Sequence, residues 1–134
     1  VVVYAFDDDE PDKQERARQI LAAPAERILV VSTQVLAEFY VTVTRKLARP
    51  LDHASARLAL DELARLPVVN TDTDLVLAAA DLAHQHELSL WDSLIVQAAS
   101  IAGSQVLLTE DLSDGATLAG VRIENPFEGL STPA

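Results

Sequence analysis

Short aliphatic runs alternate with longer stretches of helical period along this chain, and that alternation restricts its possible folds more than any other feature. Ile28-Leu29-Val30-Val31 is an uninterrupted apolar run of the kind buried on both faces of a parallel sheet. Ser32 or Thr33 then caps a helix predicted from about Thr33 to Arg49, ended by Pro50. Asp52 caps the next, which carries Leu58, Leu60, Leu63 and Leu66 before Pro67. Val68-Val69 reads as a short strand, Thr73 to His86 as a helix, and Ser89 to Gly103 as another. Gln105 to Leu108 and Val121-Arg122-Ile123 are further strands, the last stopped by Pro126. Upstream, Ala17, Ile20 and Leu21 recur at helical spacing between Asp12 and Ala23, before Pro24. Strands alternating with helices imply crossover connections, and the expected fold is α/β: a three-layer α/β/α sandwich with a mainly parallel sheet.

A chain of 134 residues has room for a single domain with one core. Its 21 acidic and 10 basic residues leave a formal charge of −11, which argues against a protein that coats nucleic acid non-specifically. With no cysteine there is no disulfide scaffold and no zinc-thiolate site, so any metal is expected to be hard and oxygen-bound. No apolar run approaches the roughly 20 residues of a membrane span, and a soluble cytoplasmic protein is expected. The sequence lacks methionine and opens on Val1-Val2-Val3-Tyr4-Ala5-Phe6, inside an apolar run, so further sequence is expected upstream.

In open α/β sheets ligands bind beyond the carboxyl ends of the strands, which directs attention to the acids gathered there. Asp92 opens a helix in Leu90-Trp91-Asp92-Ser93. Ser93, Gln97, Ser100 and Ser104 fall on one polar stripe, and Asp92 lies about 100° away, off the solvent face. A structural account is a capping box: Ser89 caps, and Asp92 reaches back to a backbone N–H. Asp111 follows the strand Gln105–Leu108 closely and belongs at its carboxyl end, although an aspartate there also suits a turn; Glu110 and Asp114 are neighbouring reserves. Glu38 shares a helical face with Gln34, Thr42, Arg45 and Arg49. Together with Lys46 these arginines form a cationic strip suited to a phosphate backbone, or Glu38 simply pairs with Arg45. His53, His84 and His86 show no ligand spacing, and no glycine-rich phosphate loop or nucleophile elbow occurs.

Taken together, Ser32-Thr33-Gln34-Val35-Leu36-Ala37-Glu38-Phe39-Tyr40, Leu88-Ser89-Leu90-Trp91-Asp92-Ser93-Leu94-Ile95 and Leu107-Leu108-Thr109-Glu110-Asp111-Leu112 resemble the PIN-domain family, and more narrowly its VapC-type toxins. The resemblance covers nearly the whole chain. It implies a metal-dependent endoribonuclease in which Glu38, Asp92 and Asp111 occupy three of four acidic positions that hold Mg²⁺ or Mn²⁺. The fourth, an aspartate ending a central first strand, would lie just before Val1, so that strand is expected upstream. By the same resemblance Val1 to Val3 start a short helix, although β-branched residues favour a strand. Asp7, Asp8 and Asp9 read as loop rather than as replacements for the fourth acid.

On this basis a divalent ion would activate water and neutralise the phosphodiester, with Thr109 orienting a carboxylate or water and Arg45 and Arg49 contacting RNA. The resemblance further implies a cognate antitoxin, whose cationic tail suits an acidic groove, and a homodimer, with the aliphatic helix Ala54–Leu66 as a candidate interface. The competing reading is a catalytically inactive PIN-like module that binds a protein partner. A receiver-like signalling domain ranks below both, since no lysine follows either late strand.

Overall fold

A computed structural model describes residues 6–22, 29–109 and 112–127. Elements follow in the order α1 (Pro11–Ala22), β1 (Val31–Ser32), α2 (Thr33–Arg45), α3 (His53–Leu63), β2 (Val68–Val69), α4 (Thr73–His86), α5 (Leu90–Ile101), β3 (Val106–Leu108), β4 (Thr117–Leu118) and β5 (Val121–Glu124). The fold is α/β, and the pairings β1–β2 and β3–β5 are both parallel. The described strands form two small sheets, β1-β2 and β3-β5-β4, where a single sheet was expected. β1 and β3 each keep one edge unpaired within them. The expected helix at Val1 to Val3 and the start of the strand at Ile28 lie outside the described residues.

Helix starts follow the chemistry of their first residues. Ser32 Oγ accepts the Val35 N–H, Asp52 the Ser55 N–H, Asp72 the Leu75 N–H and Ser89 the Asp92 N–H, each satisfying a donor that the helix itself leaves unpaired. Ends are less regular. α2 stops at Arg45 rather than continuing to Arg49. Two forces act there: Pro50 disfavours helical backbone at Arg49, and Leu47 and Leu51 turn back onto the α2–α3 core, with the Leu51 N–H donating to Val43 O at 2.8 Å. Arg49 therefore lies past the helix, and the expected strip of arginines on one helical face is not formed.

β4 was not foreseen; the stretch after Thr109 reads as a polar connection. It pairs antiparallel with β5 through a two-residue turn in which Ala119 and Gly120 both have positive φ, 50° and 80°. Such a turn matches the twist of the flanking strands.

Buried side chains form three clusters among the described residues, two of which share the α4–α5 pair. Phe39, Val43, Ala56 and Leu63 join α2 to α3, and Phe6 meets Phe39 edge-on at 5.4 Å between ring centroids. Leu75, Ala79, Leu94 and Ala98 join α4 to α5, with Val69 of β2 packed against them. Leu82, Val96 and Ile123 seat the same helix pair on β5. Among the described strands no continuous layer spans these clusters. α1 is tied to the C-terminal segment by Arg16 Nε donating to Pro126 O at 3.0 Å, while Lys13 lies over the Phe127 ring.

α5 has packed neighbours on two sides, and this overturns the expectation for its polar stripe. Leu94 and Ala98 face α4, Val96 faces the strands, and Ser93 between them is completely buried at 0% exposure. Trp91 and Ile101, at the two ends of the helix, are 64% and 59% exposed. A periodicity argument assumes one buried face; α5 has more than one. Among the described residues no helix is long and apolar enough to cross a membrane.

Candidate active site

Parallel strands β1 and β2 end side by side, and the residues just beyond them are tied together. Ser32 closes β1 and caps α2, while Thr33 Oγ1 accepts the Thr71 N–H at 3.0 Å and donates to Thr71 Oγ1 at 3.1 Å. This fixes the start of α2 at the carboxyl end of the small sheet, where an α/β fold places its ligands. Gln34 reaches out of the first turn of α2, and one turn on comes Glu38.

Gln34 is the joint of the site. Its Nε2 donates to Glu38 Oε1 at 3.0 Å and to the backbone carbonyl of Trp91 at 3.2 Å. Trp91 immediately precedes Asp92 in the first turn of α5, so one amide nitrogen connects the helix of Glu38 to the turn of Asp92. Glu38 is exposed and Asp92 half-buried. The anticipated Glu38–Arg45 ion pair is absent among the described residues; Glu38 accepts from Gln34 instead. Of the proposed capping box, only half is formed: the Asp92 N–H donates to Ser89 Oγ at 3.1 Å, and no return bond from the Ser89 N–H reaches the Asp92 carboxylate, which leaves that carboxylate for other work.

Two buried polar atoms, one on each of these helices, have no hydrogen-bond partner among the described residues: Gln34 Oε1 and Ser93 Oγ. Buried oxygens without partners are uncommon in native structures and mark places where solvent, an ion or a ligand completes the arrangement. The sequence signal for Gln34 was its spacing of four from Glu38, which permits a side-chain bond on one helical face. Its second bond, to a residue 57 positions away, has no local signature.

The remaining predicted residues divide. Thr109 is half-buried beyond β3, and its N–H donates to Glu124 O at 3.0 Å, extending the β3–β5 ladder and holding the threonine at the strand's carboxyl end. Asp111 and the reserve Glu110 lie outside the described residues. Asp114 is structural, its carboxylate accepting the Asn125 N–H at 2.9 Å. Asp7 and Asp8 behave as loop residues: Asp7 accepts the Asp9 N–H and Asp8 accepts from Gln14 Nε2. Arg45 and Arg49 are exposed, the second off the helix. His53 Nδ1 is engaged by the Tyr40 hydroxyl at 2.9 Å.

Among the described residues no group of three or more His, Asp and Glu side chains forms a metal cluster. Glu38 and Asp92 supply hard oxygen donors only, a chemistry that suits a hard divalent ion better than a softer one.

A family model described as PIN domain matches residues 1–113. No curated protein matches the chain.

Proposed function

This chain belongs to the PIN domain family, and on that premise we propose that it is a metal-dependent endoribonuclease toxin of the VapC type, acting in the cytoplasm on RNA phosphodiester bonds. PIN domains are generally nucleases, which makes the chain a hydrolase candidate with a nucleic-acid substrate, and they generally use divalent metals. The observation that carries the reading is the Gln34 amide shared between Glu38 and the Trp91 carbonyl, because it ties the helix of Glu38 to the turn that carries Asp92, 54 residues on in sequence.

Glu38, Asp92 and Asp111 are the proposed metal-holding acids. A bound Mg²⁺ or Mn²⁺ supplies Lewis acidity toward the phosphoryl oxygens and a water of lowered pKa. The residues of the chain do the rest. Glu38, held by Gln34, and Asp92, in the capped first turn of α5, present carboxylate oxygens from two rigid helices, and one of the acids accepts the proton that the attacking water gives up. Thr109, fixed by the ladder beyond β3, orients a neighbouring carboxylate or water. Arg45 is exposed on α2 beyond Glu38 and without an ion pair among the described residues, which suits a phosphate contact; Arg49 offers a second charge from the following turn.

The same reading takes the two small sheets of the described residues as parts of one three-layer α/β/α sandwich. It gives the protein a cationic antitoxin as partner, suited to a chain of net charge −11. It also gives the protein a second copy packed through α3, where Leu58 is 67% exposed.

RNA cleavage assays of the protein with Mn²⁺, with chelator, and with Asp92→Asn test the proposal. Cleavage is expected only with metal, and Asp92→Asn is expected to reduce it at least about 100-fold. Equal rates for Asp92→Asn and the parent at saturating Mn²⁺ would remove Asp92 from the site.

A further inference from the structure

Gln34 is half-buried in the first turn of α2, and both acceptors around its nitrogen restrict how the amide can sit. A carboxylate and a peptide carbonyl only accept hydrogen bonds. Turning the amide over would set Oε1 against two other oxygens, so Nε2 must face them and Oε1 must face away. There Oε1 is buried and unpartnered among the described residues. An ordinary side-chain pair along a helix does not require this, since Glu38 alone would satisfy the donor from an exposed position. Nor does α2 need Gln34 to hold its place. Ser32 caps the helix, and Phe39 and Val43 bury it against α3.

Ser93 supplies the independent observation. It follows Asp92 directly on α5, is 0% exposed, and its Oγ is the second buried side-chain atom with no partner among the described residues. Each of the two helices that carry the acids thus holds one orphaned oxygen. A site completed by bound solvent and ligand leaves such atoms behind when the ligand is absent.

We propose that Gln34 is a positioning residue of the acid site: its Nε2 keeps the Glu38 carboxylate and the first turn of α5 in one frame for a divalent cation, while its Oε1, turned away from both acceptors, accepts a hydrogen bond from ordered water. The proposal rests on the metal-dependent reading above and adds to it a residue that holds no metal itself. Groups that orient a metal-binding side chain typically contribute about 10- to 100-fold to affinity, and that is the size of effect to look for.

Calorimetric titration with MnCl2 alone, without RNA, separates the alternatives. Gln34→Leu is expected to weaken Mn²⁺ binding at least about 10-fold while circular dichroism stays that of the parent. Gln34→Asn keeps an amide too short to span both acceptors; it is expected to lose affinity similarly and serves should the leucine variant not fold. In a Glu38→Gln background, Gln34→Leu is expected to cost less than in the parent, because the part of its effect that passes through Glu38 is already lost. Parent-like binding by both Gln34 variants, or an equal loss in the two backgrounds, overturns the assignment and leaves the metal site standing. Failure of the parent protein to bind Mn²⁺ at all overturns the metal reading, and the role of Gln34 falls with it.

Discussion

The carboxylate of Asp52 accepts the Ser55 N–H at 2.7 Å, and that bond holds its pKa below the usual aspartate range, with a weaker pull from neighbouring His53. A group whose pKa falls on folding stabilises the native state once it is ionised, above its unfolded value, and the gain disappears as pH falls through the folded value. Asp52→Asn retains a capping oxygen and loses the titration. In urea melts the stability difference between parent and Asp52→Asn is expected to shrink from about pH 6 to about pH 3, below the ordinary aspartate value near 4. A difference that stays constant over that range would show that Asp52 does not couple to folding. Ala119 offers a second residue-level test. It holds φ at 50° in the β4–β5 turn, where a Cβ crowds the following carbonyl, and its exposed side chain makes no contact that the turn needs. Ala119→Asn is expected to raise stability by about 1 kcal/mol, while the Ser100 Oγ bond to the residue 119 carbonyl, 2.9 Å in the parent, is retained. Chemical denaturation measures the gain; an unchanged midpoint would mean that the strain is relaxed elsewhere.

Among the elements, α5 shows what was legible in the sequence and what was not. Its start was readable because Ser89 and the first N–H groups interact locally, and the same holds for Ser32 before α2 and Asp52 before α3. The position of Asp92 in that first turn was equally local. The burial of Ser93 was not, because it depends on α4 and the strands closing over two sides of the helix at once. The end of α2 and the role of Gln34 fail for the same reason: Leu47 and Leu51 are drawn off helical geometry by packing on α3, and the second Gln34 bond ends on a distant carbonyl. β4 was hidden because Ala119-Gly120 lacks the asparagine or aspartate that commonly announces such a turn. The cap of α5 matters beyond helix stability. Ser89→Ala removes the oxygen that receives the Asp92 N–H and is expected to cost about 1 kcal/mol in urea unfolding. Since the first turn also carries Asp92, cleavage is expected to fall by more than the loss of folded protein explains. Activity that merely tracks the folded fraction would separate the cap from the site.

Across the whole molecule the dominant fact is charge. A chain with net charge −11 folds against its own repulsion and gains from a cation placed among its acids. Monovalent salt weakens that repulsion everywhere by screening, whereas a divalent ion held at the proposed site of Glu38 and Asp92 would act at one place and stabilise only the native state. The two effects separate at constant ionic strength. Saturation about 100-fold above the dissociation constant contributes roughly 2.7 kcal/mol, which for a domain of this size is on the order of 5–10 °C in Tm. MnCl2 is therefore expected to raise Tm well beyond ionic-strength-matched KCl, and the excess is expected to vanish in a Glu38→Gln/Asp92→Asn double variant. If the variant keeps the full increment, the ion is stabilising the fold from some other part of its acidic surface, and the junction of α2 with α5 is not where it binds.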